Sequence, residues 1–348
     1  MGLFAFVSML FITQRILVPV IYATVIAVVL SPVVDFFVKL KINRILAITI
    51  TLVLVIFFMF FVITFLCTQA ARFSESFPAM INKFHLLLIQ ATEWSSRTFN
   101  ISSVRINGWL QEMRVEIMND GKSALGQTLI YTGNALIILV LIPVYVFMIL
   151  YYQPLLIEFV YRLFRMQRQG DVNEILADTK KIIRNYLAGL MLEAVIIASL
   201  NSVSLLLLGI DYAILLGVIG AIVNIIPYVG GILGVALPLI LAVTTKSSMS
   251  YAIGVLIAYM IIQFIDNHYL VPKIVASKVK INALISVIVI LAGSALWGIP
   301  GMLLSIPLTA IIKVIFDHIE PLKPWGFLLG DTLPVFTLHA QKNKIKEV

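Results

Sequence analysis

Long runs of apolar residues alternate along this chain with short basic segments. Residues 45–68, 125–152, 186–208 and 251–272 are predominantly apolar, and each segment is longer than the roughly 20 residues that a helix needs to cross a bilayer. The runs are continuously apolar, whereas the strands of a membrane barrel alternate between apolar and polar residues. The pattern therefore predicts an all-α, polytopic membrane protein built from transmembrane helices.

Residues 1–68 are predicted to form the N-terminal transmembrane helices. As a single helix, residues 3–38 would be about 54 Å long, which exceeds the thickness of the hydrocarbon core. One long tilted helix and two shorter helices both remain open. We favour a break between Arg15 and Pro19, because proline removes a backbone donor and arginine avoids the bilayer centre.

Three segments are too polar to cross the membrane. Residues 69–124 mix apolar positions at helical spacing with acidic and basic residues, which predicts amphipathic helices outside the cytoplasm or at the interface. Residues 153–185 are predicted to be a basic, helical, cytoplasmic segment. Residues 317–348 are predicted to be a cytoplasmic tail.

Two further apolar segments, 213–243 and 281–312, are interrupted in their middle. As a straight helix each would be about 47 Å long, yet two full spans need roughly 40 residues. Each is therefore predicted to be a re-entrant helical hairpin, which enters and leaves the membrane on one side. The residues expected to make the breaks are Pro227, Gly230, Gly231, Pro300 and Gly301.

The basic segments predict opposite orientations for the two hairpins. If residues 39–44, 153–185 and 273–280 face the cytoplasm, hairpin 213–243 opens outside and hairpin 281–312 opens inside. Their tips would then meet near the middle of the membrane. Opposed, interrupted helices of this kind carry the binding sites of secondary transporters, so residues 186–316 are predicted to form a transport core.

Composition and charge narrow the class of protein further. The chain is 61% hydrophobic and 12% charged, about half the charged fraction of a soluble domain. The net charge is +8, and most of the basic residues lie between the apolar runs. This placement indicates that they set the topology of the protein and interact with membrane lipid, and we expect no nucleic-acid partner. We find no metal-ligand spacing, no phosphate-binding loop and no nucleophile–base pair, so we expect no metal, no cofactor and no enzymatic activity.

A carboxylate inside an apolar span is the strongest candidate for a functional side chain. Asp266 stands beside Asn267 and near Gln263, and an intramembrane acid is costly unless it is paired, protonated or functional. A proton carrier is one interpretation, and a structural partner for Lys273 or an interface residue near the cytoplasmic end is the alternative.

Two more polar residues could join this site. Glu193 could pair with Asp266, coordinate a cation, or lie near the headgroups. Asn224 could bind a solute or an ion near the first hairpin tip, or it could cap the broken helix, a role that suits asparagine.

Three stretches resemble one known family. They are Ile226–Gly230 (IPYVG), Gln263–Lys273 (QFIDNHYLVPK) and Gly298–Val314 (GIPGMLLSIPLTAIIKV), and their order and spacing resemble the autoinducer-2 exporter family of bacterial inner-membrane transporters. The resemblance extends over essentially the whole chain. It implies export of a small solute, with autoinducer-2 as the namesake substrate, although some relatives are described as sodium/proton antiporters.

The chain departs from the family pattern at two places, where Gly231 and the pair Asn282-Ala283 stand at positions commonly held by Pro and by His-Pro. We expect a multi-pass transporter of the bacterial inner membrane with a cytoplasmic C-terminus. The expected activity is ion-gradient-driven export of a small solute such as autoinducer-2. The alternatives are a Na⁺(Li⁺)/H⁺ antiporter and an oligomeric channel or pore, and a homo-oligomer is compatible with each of them.

Overall fold

A computed structural model describes residues 2–99, 140–163, 169–225, 230–275, 279 and 281–331. Almost all of these residues are helical. The strand-like pairing found among them is one isolated antiparallel bridge between Ile281 and Gly330. The predicted all-α class is confirmed.

The described chain consists of eleven α-helices joined mostly by short turns. They are α1 (Gly2–Ile12), α2 (Gln14–Lys39), α3 (Arg44–Phe99), α4 (Val140–Tyr151), α5 (Gln153–Leu163), α6 (Gln169–Leu207), α7 (Ala213–Asn224), α8 (Gly230–Thr245), α9 (Met249–Ile265), α10 (Ala283–His318) and α11 (Lys323–Leu329). A π-helical segment, Asp266–Val275, continues α9, and a short 3₁₀ turn, Glu320–Leu322, precedes α11.

Several of these helices have the length and the apolar surface of membrane-spanning helices. Within the described residues, five are long and apolar enough to cross a membrane, or six if α4 and α5 together make one bent span. Large apolar side chains of α3 lie on the outside of the protein, among them Phe57, Phe58, Phe60 and Phe61. A surface of this kind is stable in hydrocarbon but not in water. The predicted polytopic membrane protein is confirmed.

The N-terminal apolar run forms two helices, but the break lies at Thr13 and not between Arg15 and Pro19. Thr13 has φ −86° and ψ 6°, slightly outside the helical range. Pro19 lies in the second turn of α2. A proline there removes one backbone hydrogen bond, which the surrounding packing of this buried residue offsets.

The predicted segment boundaries after residues 68, 185 and 316 fall inside helices, the last of them two residues before the end of α10. Helix α3 continues past residue 68 to Phe99, and α6 runs through residue 185 without a break. The second half of α3 packs on the start of α7, where the hydroxyls of Ser76 and Tyr212 are 2.9 Å apart. The rest of the insert and the start of run 125–152 lie outside the described residues.

The first interrupted segment forms two arms, α7 and α8, that lie side by side. A β-carbon built on Gly234 of α8 would lie 3.4 Å from the Cα of Gly220 in α7. Near the tip, Gly230 lies against the backbone of Asn224, where a side chain larger than hydrogen would overlap. Pro227 lies outside the described residues.

The second interrupted segment, α10, also folds back on itself. Gly298 has φ +63° and ψ −143°, a conformation that glycine tolerates and L-residues rarely adopt. Gly293 before the break abuts Gly301 after it, although eight residues of straight helix would separate them by about 12 Å. Pro300 is therefore not the break. It lies in the first turn after Gly298, where its missing N–H costs little.

Both hairpins pack against α6. Ser202 of α6 lies directly against Gly217 of the first hairpin, and Tyr186, nearer the start of α6, packs with Ala310 of the second. The Asn282 amide, just before α10, donates to the carbonyls of Leu328 and Gly330, which follow α10. The chain after α10 therefore returns to the start of that helix. Re-entry into the membrane and contact between the two tips stay predictions.

Candidate functional site

Asp266 lies at the point where α9 widens into the π-helical segment. Its side chain is 2% exposed, and its Oδ2 accepts a hydrogen bond of 2.8 Å from Nδ2 of Asn224. Its other oxygen, Oδ1, is buried without a hydrogen-bond partner among the described residues. π-helical turns are rare and recur at functional sites. Asp266 and Asn224, which the sequence predicted as two separate candidates, are thus in direct contact at the tip of the first hairpin.

Glu193 on α6 belongs to the same site. Gly189, one turn earlier, lies against the backbone carbonyl of Ile274 and leaves no room for a side chain, so α6 and the π-helical segment approach closely. Glu193 is 7% exposed and interacts electrostatically with Asp266. Neither acid forms a salt bridge with a basic residue in the described ranges. The site therefore contains two buried acids whose charges interact, one on each side of the contact between α6 and the π-helical segment.

Gln263 and Asn267 extend the site along α9. Nε2 of Gln263 donates to Oδ1 of Asn267 over 3.4 Å, and the Gln263 amide lies against Gly231 at the start of α8. Any β-carbon at position 231 would overlap this amide. Asn267 is exposed and marks the outer edge of the cluster.

Two polar residues that sequence reasoning missed, Asn201 and Tyr259, complete the cluster. Asn201 of α6 is 3% exposed and Tyr259 of α9 is 8% exposed, and both line a small cavity with room for about one water-sized ligand. Oδ1 of Asn201 and the Tyr259 hydroxyl are buried without a partner among the described residues. The remaining lining residues are Ile197, Gly220, Asn224, Gly230, Gly231, Gly234, Ile262 and Gln263.

A signal for one of these residues was present in the sequence. Asn201 stands inside the apolar run 186–208, where an amide is as unexpected as a carboxylate. Tyr259 gave no such signal, because tyrosine is common in membrane helices and only its neighbours show that its hydroxyl points into a cavity.

The predicted break residues of the second hairpin lie elsewhere. The Pro300 carbonyl accepts a hydrogen bond of 3.1 Å from the Tyr22 hydroxyl of α2, and Gly301 packs against Gly293. The indole of Trp297 donates to the carbonyl of Leu10 over 3.1 Å. This hairpin tip is therefore held by the two N-terminal helices.

The oxygen atoms of the cluster define its chemistry. Amide, hydroxyl and carboxylate oxygens bind hard cations and protons. The described residues contain no group of three His, Cys, Asp or Glu side chains that could hold a metal ion. Like charges on Glu193 and Asp266 would repel strongly in a medium of low dielectric constant. A cation or a proton bound between the two acids would relieve this repulsion.

Comparison with known proteins identifies the type of protein that carries this site. Residues 1–320 match the model of a family described as AI-2E family transporter. The chain is 26% identical over 330 residues to the "AI-2 transport protein TqsA" of Escherichia coli (strain K12), covering 91% of this chain and 90% of that protein.

Two relatives from Bacillus subtilis (strain 168) are also similar. The chain is 23% identical over 325 residues to the "Putative transport protein YueF", covering 91% of this chain and 87% of the relative. It is 33% identical over 143 residues to the "Putative transport protein YrrI", covering 41% of this chain and 40% of that protein. These relatives are all named as transport proteins, and their names state no mechanism.

Proposed function

This chain belongs to the AI-2E family of transporters, and from that membership we propose that it is a secondary transporter that uses an ion gradient to export a small solute. That it is a multi-pass membrane transporter follows from the family and from its apolar helices. The direction of transport, the solute and the driving ion form the proposal. Autoinducer-2 is the first solute to test, because it appears in the name of the relative TqsA.

The hydrogen bond between Asn224 and Asp266 carries this proposal. It joins the tip of the first hairpin to the π-helical segment, while the charge of Glu193 on α6 interacts with the same carboxylate. An ion or proton that binds at Asp266 competes with this hydrogen bond, so its binding changes how firmly the tip is held. A ligand shifts a conformational equilibrium by its differential affinity for the two states, and here the difference would arise at this contact.

Exchange of Na⁺ or Li⁺ for protons is the second candidate function. The observation that favours it is the size of the cavity lined by Asn224, the residue that binds Asp266, because this cavity accommodates an ion or a water molecule more readily than an organic solute. In this case Asp266 and Glu193 would carry the exchanged cation, and Asn201 and Tyr259 would supply neutral oxygen ligands.

The role of Asp266 is tested in proteoliposomes that contain the purified protein. Proton-coupled flux is measured for the wild type and for Asp266→Asn, which keeps the shape of the side chain and removes its charge. We expect coupling to be lost. The matched control is Asp211→Asn, which removes an exposed acid next to α7 and should leave coupling intact. Unchanged coupling in Asp266→Asn would show that this residue does not carry the proton.

One substrate screen separates the two candidate functions. Vesicles with an imposed pH gradient are supplied with autoinducer-2, Na⁺ or Li⁺, and the internal pH is followed. A pH change that requires autoinducer-2 indicates the exporter. A pH change that requires only Na⁺ or Li⁺ indicates the antiporter.

We also propose the placement of the protein in the cell. The basic segments at the ends of the spans favour the bacterial inner membrane as the location of the protein. They also favour a topology in which these segments and the C-terminus lie in the cytoplasm. Lipid is the expected partner of the exposed apolar helix faces, and a homo-oligomer is compatible with them.

A further inference from the structure

A second cavity, larger than the first and far more basic, lies between α2, α6 and the corner where α4 meets α5. Its volume is about 510 Å³. Four basic side chains line it: Lys39 at the end of α2 and Lys180, Lys181 and Arg184 on α6. Asp35 is the one acidic lining residue, so the charges sum to four positive and one negative, a net +3. The proposed function makes no use of this cavity.

The positive charge of this cavity is not neutralised within the described protein. The salt bridges found there are Glu158–Arg162, Lys313–Asp317 and Glu320–Lys323, and none involves a lining residue. Asp35 interacts instead with the hydroxyl of Ser31 at 3.4 Å. Four like charges around one cavity repel one another, and an anion in the cavity removes this repulsion.

The ends of three helices indicate the depth of the cavity in the membrane. Lys39 is the last residue of α2, and the chain bends by 60° between α4 and α5. The guanidinium of Arg44 fixes this corner, because its Nη2 donates to the Leu150 carbonyl over 2.9 Å and to Oε1 of Gln153 over 3.0 Å. Spans end and amphipathic helices begin at the headgroup layer, so we infer that the cavity lies at that level, with α4 as the end of a span and α5 as an amphipathic helix.

The remaining wall of the cavity is apolar. Ala27, Val28 and Pro32 of α2 line it together with Ile149 and Leu150 of α4. A cavity with basic side chains at the helix ends and an apolar wall toward the membrane interior fits an amphipathic anion. A free phosphate or sugar phosphate would gain from the basic side chains but not from the apolar wall.

We propose that this cavity binds the phosphate headgroup of an anionic lipid. Lys39, Lys180, Lys181 and Arg184 contact the phosphate oxygens, and the apolar wall contacts the first methylene groups of the acyl chains. Basic pockets between membrane helices recognise such headgroups, and arginine suits phosphate because its planar guanidinium offers paired donors. If these basic residues only set the topology of the protein, their charges would be needed but a cavity between them would not. The proposal does not depend on which solute the protein transports.

The test measures lipid binding to the full-length protein in detergent. Thermal unfolding and native mass spectrometry are recorded with phosphatidylglycerol and cardiolipin, and with zwitterionic phosphatidylcholine for comparison. Glycerol phosphate and inorganic phosphate form a separate arm for soluble anions. We expect the anionic lipids alone to raise the unfolding temperature and to stay bound in the mass spectrometer.

The variants locate the effect. Lys180→Gln combined with Arg184→Gln should weaken binding of anionic lipid by about 30-fold, the sum of two basic contacts of ordinary strength. Lys180→Arg, which keeps the charge, should retain binding and shows that position 180 tolerates substitution. Lys41→Gln is the matched control, because it removes one charge two residues from Lys39 but outside the cavity.

Three outcomes would overturn the proposal. One is equal binding of phosphatidylcholine and anionic lipid. Another is an equal loss of binding in Lys41→Gln and in the double variant, which would mean that general surface charge attracts the lipid. The third is equal protection by glycerol phosphate, which would assign the cavity to a soluble anion.

Discussion

The side-chain amide of Asn224 donates a 2.8 Å hydrogen bond to the carboxylate of Asp266. These residues are 42 positions apart, one at the tip of a helical hairpin and the other at the first residue of a π-helical segment. The contact links an interrupted helix to a buried acid, which is the pairing of features that ion-coupled carriers use. The proposed effect of ion or proton binding on the hairpin tip can therefore be tested by replacing a partner of this hydrogen bond.

Replacing Asn224 by Leu is expected to impair both stability and coupling. The change keeps a similar volume and leaves Oδ2 of Asp266 without its donor, which costs about 1–3 kcal/mol for a buried polar atom. Thermal unfolding in detergent measures the stability, and proton-coupled flux in proteoliposomes measures the function. Asn267→Leu serves as control, because that amide is exposed and should change the unfolding temperature much less. Equal effects of both variants would contradict a special role for Asn224.

Tyr259→Phe is expected to separate stability from function. The hydroxyl is buried without a partner in the described chain, so removing it should leave the free energy of unfolding unchanged or slightly raise it. If the hydroxyl contacts the transported ion, flux at low ion concentration falls at the same time. Ion titrations of flux read out this change as a higher half-saturating concentration. A variant with wild-type flux at every concentration would exclude Tyr259 from the site.

Gly301→Ala is expected to destabilise the second hairpin by about 1–3 kcal/mol, the usual cost of overpacking. Its new methyl group would overlap the backbone of Gly293, which cannot move aside without separating the two arms. Gly254→Ala is the control, because the methyl group there would meet the flexible end of Leu208. Thermal unfolding of both variants measures the difference. A small effect at Gly301 would mean that the arms are not closely packed.

If the hairpins have the opposed orientation that the sequence predicts, this orientation determines which residues can be labelled from each side of the membrane. Single cysteines are introduced at Ser248, which follows α8, and at Ala283, which begins α10, after the native exposed Cys67 is replaced by Ser. An impermeant maleimide should label Ala283→Cys from the side that also labels Lys41→Cys. Ser248→Cys should react from the other side. Labelling of all three positions from one side would contradict the opposed hairpins.

The class of fold was predictable from the sequence because lipid imposes a local requirement. Each span must be apolar over about 20 consecutive residues, and each carries its own backbone hydrogen bonds, so the spans and the interrupted segments 213–243 and 281–312 are visible in the order of residues alone. The intramembrane acids Glu193 and Asp266 were predictable for the same reason, since a carboxylate is conspicuous in an apolar run.

Positions that depend on neighbours far along the chain were not predictable. The sequence favoured Pro300 as the break, yet Gly298 makes it, because the turn needs a backbone conformation that proline cannot adopt. Likewise, the end of the run at residue 68 suggested a helix end, but α3 continues because its second half finds packing partners in the first hairpin.

The sequence by itself determined that the chain is a helical membrane protein with two interrupted segments and a few buried acids. The tertiary structure decided that Asn224 binds Asp266, that the charge of Glu193 acts on the same carboxylate, and that Asn201 and Tyr259 line a cavity together with Asn224. The physical reason is the range of the forces involved. Transfer into lipid acts on each segment separately, whereas a hydrogen bond or a close glycine contact exists only after the helices have packed.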